Sequence, residues 1–231
     1  MKLFQLSEEK RYTRIASSPS KMFTTPLGEM QFQITLDGFN SSNIDYDYSQ
    51  VLAQNMTLTG WNCRDFDMEM LFFQKEEGFS KQAVVVRVLT KTAIQEGWGS
   101  LYWKEHHVTK GMNLDSGQRL YAKIYEESRY TVLVGTEDDE GLQFRSLCGK
   151  GIPHQWASYF PTAHSHWFWS HSIHQMVGDA GIAIPFPPIP AGELCEFVFF
   201  VLYGETSQYI AMMDFSETIN IEQEVLGLGI S

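Results

Sequence analysis

Cysteine is scarce in this sequence, and the few that occur are far apart. Cys63, Cys148 and Cys195 form no CxxC pair, and their number is odd. The sequence therefore indicates neither a disulfide framework nor a cysteine-based zinc site. A reducing compartment is the simpler expectation, and we predict a cytoplasmic location.

Basic charge is also in short supply. The chain has 17 Lys and Arg against 28 Asp and Glu, which gives a formal net charge of -11. Phosphate backbones are bound by clustered basic side chains, and anionic lipid attracts the same residues. We therefore expect neither a nucleic acid nor a membrane surface as the partner of this protein.

Long hydrophobic runs and helical periodicity are missing as well. No stretch approaches the ~18 consecutive apolar residues of a membrane-spanning helix, and the N-terminal residues become charged at Glu8 without an apolar signal-peptide core. No long segment repeats its apolar residues with a period of 3.6. These absences disfavour a membrane protein and a helical bundle.

What the sequence does have is alternation of apolar and polar residues. In residues 30–36 the apolar side chains alternate with Gln and Thr, and Asp37-Gly38 then supplies turn residues. The same pattern returns in residues 66–72, where we expect Asp67 and Glu69 to point outward. Alternation with period two is typical of strands that bury one face.

Further strands are predicted along the chain. Residues 83–89 are rich in β-branched side chains and predict a central strand that is apolar on both faces apart from Arg87. The other candidates are a hairpin over residues 120–134 and strands at 142–147, 196–202 and 219–225. The set predicts an all-β fold: one domain over residues 1–231, an antiparallel β-sandwich that is jelly-roll-like.

Two regions interrupt the strand pattern. Residues 37–55 are rich in Asp, Asn, Ser and Gly, and we interpret them as a long surface connection. Residues 148–195 hold six of the eight prolines and predict one long Pro/Gly-rich loop excursion from the sandwich. Long irregular loops on a rigid scaffold frequently carry function.

The excursion contains the densest cluster of chemically versatile side chains. Residues 164–174 hold four of the seven histidines and two of the six tryptophans. Imidazoles titrate near neutrality and ligate metals, and indoles offer large flat surfaces to a ligand. We predict that residues 148–195 bind an apolar, aromatic or sugar-like ligand or a partner protein. The candidate contact residues are Trp156, Tyr159, Trp167, Trp169, His171 and His174.

A second interpretation of the same cluster is a metal site. On an extended segment His164 and His166 share one face and can grip one divalent transition metal. This pair resembles the HxH motif of cupins, and the resemblance implies a metal-dependent jelly-roll enzyme. The chain departs from that pattern, because Ser170 stands where a carboxylate ligand is common and no histidine follows residues 190–192.

Calcium is a weaker hypothesis. Acidic residues in turn-rich stretches, such as Asp37, Asp45 and Asp47, offer oxygen ligands, but their spacing does not match an EF-hand. A structural subunit of a larger assembly is a further alternative, and an oligomer is compatible with the sequence. Packing of the His and Trp side chains beneath a long loop explains the cluster without any ligand.

Overall fold

The structure, a computed structural model, describes residues 3–4, 13–14, 22–105, 112–115, 120–137, 181–186, 188–216 and 224. Within these residues the chain forms fourteen strands, one 3-10 turn and one seven-residue α-helix. The elements are β1 (Thr13–Arg14), β2 (Met22–Thr25), β3 (Gly28–Leu36), β4 (Phe39–Asn40), β5 (Tyr48–Ala53), β6 (Met56–Asn62), β7 (Phe66–Glu77), β8 (Phe79–Thr90), β9 (Gly97–Trp103), β10 (Met112–Asp115), β11 (Leu120–Glu127), β12 (Tyr130–Glu137), β13 (Gly181–Phe186), β14 (Leu194–Glu205), the 3-10 turn (Thr206–Gln208) and α1 (Tyr209–Phe215).

The strands form two antiparallel sheets, which confirms the all-β, sandwich-type prediction. Nine strands pair in the order β1-β5-β6-β7-β8-β14-β12-β11-β10. Five strands form the second sheet, in which β13-β9-β3-β2 pair in that order and β4 also pairs with β3. The jelly-roll part of the prediction remains a prediction.

The core between the two sheets follows from the predicted alternation. In β3 every second side chain is buried, as residues 30–36 predicted. Phe32 of the five-stranded sheet meets Phe199 of the nine-stranded sheet with ring centroids 5.1 Å apart. Each large apolar side chain buried here contributes about 1.5–3 kcal/mol, so this layer holds the two sheets together.

A second core covers the opposite face of the nine-stranded sheet. Its buried members include Leu71, Val85 and Phe200 from the sheet, together with Phe4 and with Met212 of α1. The sheet is therefore apolar on both faces. Strand β8 shows this directly, since Val84 and Val86 belong to the first core and Val85 to the second, which confirms the prediction for residues 83–89.

Two predicted connections contain strands. Residues 37–55 include β4 and β5, so a continuous loop there is wrong. Strand β5 lies near one end of its sheet and its side chains are mostly partly exposed, which is why its apolar pattern is weak. Residues 181–186 of the predicted excursion form β13. Asp37-Gly38 is the turn that the sequence predicted, and both residues have positive φ, 42° and 84°.

The hairpin predicted over residues 120–134 is confirmed, since β11 and β12 pair along their whole length. The strand predicted at 196–202 is also confirmed and extends over Leu194–Glu205. The strands predicted at 142–147 and 219–225 fall outside the described residues, apart from Glu224. In the described part of the chain no helix is both long and apolar enough to cross a membrane.

Gly135 tests the packing of the second core. It pairs with Phe200 across β12 and β14, and a Cβ atom at this position would lie 2.3 Å from Cζ of the Phe200 ring. We expect Gly135→Ala to lower the free energy of unfolding by ~1–3 kcal/mol, because overpacking forces side chains from their rotamers. Urea denaturation measures the change, with Thr24→Ala at an exposed site as the control. Equal stability of the two variants would contradict this packing.

Candidate functional site

The residues that the sequence predicts to bind ligand or metal lie outside the described residues. This holds for the whole set, namely Trp156, Tyr159, His164, His166, Trp167, Trp169, His171 and His174. His106, His107 and His154 also lie outside the described residues, so the structure describes none of the seven histidines. The prediction of a site in this segment therefore remains a prediction. The structure does describe where the segment leaves the sandwich and where it returns.

The β12–β13 connection, residues 138–180, links the two sheets. It leaves from β12, in the nine-stranded sheet, and returns in β13, the end strand of the five-stranded sheet. Strand β13 also lies against β11 and β12. The two strands that flank the connection are therefore in contact with each other.

A close backbone approach marks the point of return. Gly181 pairs with Tyr102 of β9, and a Cβ atom on Gly181 would lie 2.1 Å from the carbonyl oxygen of Leu101. The φ angle of Gly181 is +153°, which also favours glycine. Glycine is required here, and it fixes where the connection joins β13.

Polar aromatic side chains lie next to this point. The Tyr102 hydroxyl donates to Oε1 of Gln33 at 3.1 Å, and burial raises the pKa of Tyr102. The neighbouring Trp103 packs edge-on against Tyr125, with ring centroids 5.2 Å apart. The Trp103 indole N–H is buried and has no acceptor among the described residues. A buried donor without an acceptor costs free energy.

The most elaborate polar arrangement in the described part lies on the opposite side, within the second core. Cross-strand partners bring Tyr48, Gly60, Glu69, Arg87 and Glu196 into one line across β5, β6, β7, β8 and β14. We call the four side chains of this line, Tyr48, Glu69, Arg87 and Glu196, the cross-strand polar row. Glu69 is 1% exposed and Glu196 is 9% exposed, so the row requires internal partners.

The members of the row are paired with one another. The Tyr48 hydroxyl donates to Oε1 of Glu69, and Arg87 Nε donates to Oε2 of Glu196 at 2.5 Å. Burial, and then the hydrogen bond to Glu69, raise the pKa of Tyr48 well above its usual range. Tyr48 therefore stays protonated and acts as a donor to the carboxylate.

Gly60 makes the Tyr48–Glu69 contact possible. The Tyr48 ring lies across Gly60, and a Cβ atom there would be 2.1 Å from Cζ of the ring. Any side chain at this position would push the ring away from its place beside Glu69. Glycine in a central strand often marks such a close approach.

The row also holds the backbone of two residues near the start of the chain. The N–H groups of Leu3 and Phe4 both donate to Oε2 of Glu69, each at 2.7 Å. Arg87 Nη1 donates to the Leu3 carbonyl oxygen at 3.1 Å. The guanidinium carbon of Arg87 lies 4.3 Å from the centroid of the Phe4 ring, within the range of a cation–π interaction.

The expectation that Asp67 and Glu69 point to solvent is wrong. Both are buried, at 7% and 1% exposure, because the second face of the sheet is covered. Glu69 is satisfied by the contacts above, and Asp67 accepts from Lys91 Nζ at 2.6 Å. In β7, charged residues that alternate with apolar ones therefore lie on a buried face of the sheet and not on a solvent-exposed one.

The calcium hypothesis receives no support from the described carboxylates. Asp37 accepts backbone N–H groups of Gln95 and Glu96, and Asp47 accepts that of Asn62. Among the residues that the structure describes, no three His, Cys, Asp or Glu side chains are grouped closely enough to hold a metal ion. Asp37 thus connects its turn to the residues before β9, and Asp47 binds the end of β6.

A cavity of about 270 Å³ opens beside β2, at the edge of the five-stranded sheet. Gln82 forms part of its floor and donates to the Thr24 carbonyl oxygen at 2.8 Å. The lining combines carboxamide and hydroxyl groups with phenylalanine and methionine: Met22, Phe23, Gln54, Asn55, Met56, Thr57, Phe72, Phe73, Gln74 and Gln82. Its chemistry suits a neutral ligand.

The polar row generates a prediction for Tyr48→Phe. Loss of the hydroxyl removes one donor from a buried carboxylate, so we expect a free energy of unfolding lower by ~1–3 kcal/mol at pH 7. The pKa of Tyr48 is raised in the folded chain. Its stabilising contribution is therefore fully present below pH ~10, where an unfolded tyrosine begins to ionise, and is lost as the pH rises further.

The difference between wild type and Tyr48→Phe should thus stay constant to about pH 9 and shrink above about pH 10. Chemical denaturation from pH 7 to pH 11 measures it. Tyr130→Phe, at a half-buried site on β12, is the control. A difference that stays the same, or grows, at high pH would refute the contact between Tyr48 and Glu69.

Comparison with known proteins adds little to this description. No protein-family model and no curated protein matches the chain. One similar solved structure is described as "Putative kojibiose phosphorylase from human microbiome", with 6% sequence identity and a TM-score of 0.41. The similarity covers 84% of this chain and 25% of that chain, so this chain spans about a quarter of that protein. A likeness of this size carries neither fold nor function over to this chain.

Proposed function

We propose that this protein is a binding module that recognises a small ligand with a flat apolar face, aromatic or sugar-like, through the β12–β13 connection. The observation that carries the proposal is the attachment of this connection. Its 43 residues contain five of the seven histidines and three of the six tryptophans. Both ends are held by strands that lie against each other.

The residue types in the connection suit such a ligand. Trp156, Tyr159, Trp167 and Trp169 would stack on the flat face of the ligand, because large rings remove much apolar surface from water. His171 and His174 would supply hydrogen bonds to hydroxyl groups. Stacked aromatic rings of this kind would bind a sugar or aromatic ring in preference to a small charged molecule, because the surface that they offer is apolar.

The sandwich beneath the connection supports the proposal. Tyr102, Trp103 and Tyr125 lie beside the point of return, and the Trp103 N–H is without an acceptor among the described residues. A rigid sandwich with packed aromatic rings at this point is a suitable base for a site formed by an adjacent loop.

The stacking role is tested with Trp167→Ala and Trp169→Ala. Isothermal titration calorimetry against a panel of neutral mono- and disaccharides and aryl glycosides identifies a ligand. Loss of one stacked ring should weaken its binding by ~1.5–3 kcal/mol, which is roughly 10- to 150-fold in Kd. Trp98→Ala, which changes a half-buried tryptophan of β9, should leave Kd unchanged.

Two results would contradict the proposal. One is that no compound of the panel binds to the folded wild-type chain. The other is that Trp98→Ala weakens binding as much as Trp167→Ala does. Titration in EDTA separates stacking from metal chemistry, because binding lost in EDTA and in both His164→Ala and His166→Ala would favour the metal-dependent alternative.

A further inference from the structure

We infer that the cross-strand polar row is a peptide-binding site, which this chain fills with its own Leu3 and Phe4. The ligand class is a peptide whose backbone bends at an apolar residue followed by an aromatic one. The site lies on the face of the nine-stranded sheet that points away from the five-stranded sheet. It is independent of the function proposed for the β12–β13 connection.

The hydrogen bonds to Leu3 and Phe4 involve only their main chain. Oε2 of Glu69 receives the two consecutive N–H groups at 2.7 Å, and Arg87 Nη1 reaches the Leu3 carbonyl oxygen at 3.1 Å. A carboxylate and a guanidinium thus bind one acceptor and two donors of a bent backbone, in which two consecutive N–H groups point to the same oxygen. Recognition of this kind accepts any residue with an N–H and excludes proline at either position.

The receptor groups also bind one another. The Tyr48 hydroxyl donates a hydrogen bond to Glu69, and Arg87 Nε donates one to Oε2 of Glu196 at 2.5 Å. Glu69, Arg87 and Glu196 project from β7, β8 and β14 in the middle of the nine-stranded sheet, and Tyr48 projects from β5 nearer its end. A site built from mutually hydrogen-bonded side chains on a rigid sheet does not need to be assembled when its ligand arrives, which lowers the cost of binding.

Side-chain selectivity comes from the surroundings of Phe4. Its ring is 2% exposed and lies beneath the Arg87 guanidinium, and Leu3 is 5% exposed. Phe4 belongs to the same apolar cluster as Leu71 and Val85. An aromatic residue at the second position therefore gains apolar burial and a cation–π contact together.

Leu3 and Phe4 are held by these contacts and not by a β-ladder, since neither residue lies in a strand. If they were removed, Glu69 would lose two donors and the Phe4 ring would leave a void. Both losses favour reoccupation of the site by an equivalent peptide.

The test uses the full chain with Phe4→Ala, which weakens the occupant without altering the receptor. A synthetic peptide of residues 1–8 is titrated into this variant and into wild type by isothermal titration calorimetry. We expect one peptide per chain for Phe4→Ala. Wild type should bind it at least ~10-fold more weakly, because its own segment occupies the site at a high effective concentration.

Control peptides separate this site from nonspecific adhesion. Peptides in which Leu3 is replaced by proline, or Phe4 by alanine, should bind at least ~10-fold more weakly to the Phe4→Ala chain. Adding Glu69→Gln to that chain should weaken the unmodified peptide by a similar factor, since a neutral amide is a poorer acceptor for two N–H groups. Circular dichroism and thermal unfolding confirm that each variant is folded.

Absence of binding to a folded Phe4→Ala chain at millimolar peptide would overturn the inference. Equal binding of the proline-containing peptide would do the same. If Phe4→Ala does not unfold cooperatively, Phe4→Leu replaces it, because leucine keeps the site apolar while it removes the contact with the guanidinium. The same two outcomes then decide the question.

Discussion

The structure depends on one constraint: the nine-stranded sheet buries side chains on both faces. One face packs against the five-stranded sheet, and the other is covered by residues that include Phe4 and Met212. Because water is excluded from both sides, any polar side chain within the central strands needs a partner inside the protein. The polar row and the coverage by Leu3 and Phe4 both follow from this requirement.

The two faces meet this requirement in different ways. The first is closed by a second sheet whose alternating side chains interdigitate with it, as Phe32 and Phe199 do. The second has no matching sheet among the described residues, and a carboxylate–guanidinium–carboxylate line crosses it instead. Specific polar contacts fix the position of the covering residues there, whereas apolar contacts alone would leave their register poorly defined.

The sequence predicted β3, β7, β8, β11, β12 and β14, but it predicted neither the other described strands nor the polar row. Period-two alternation located β3 and β7, because every second side chain of each points into the same core, and β-branched residues located β8. The prediction that Asp67 and Glu69 point to solvent was wrong, because alternation distinguishes the two faces of a strand but does not show that either face is exposed to solvent. Glu69, Arg87 and Glu196 are distant in sequence, and only the strand register makes them neighbours. Strand β5 was missed since it lies near a sheet end and is partly exposed. The His- and Trp-rich connection stays a prediction, although its points of attachment are now defined.

The two-faced sheet also has a consequence for the handling of this protein. A continuous apolar strip lies beside the polar row. It is formed by the cross-strand neighbours Leu58, Leu71, Val85 and Val198. A chain in which the covering residues have been displaced or clipped would present this strip to other molecules while its strands remained paired. Such a species would self-associate well below the melting temperature, so turbidity would register damage to this face before circular dichroism did.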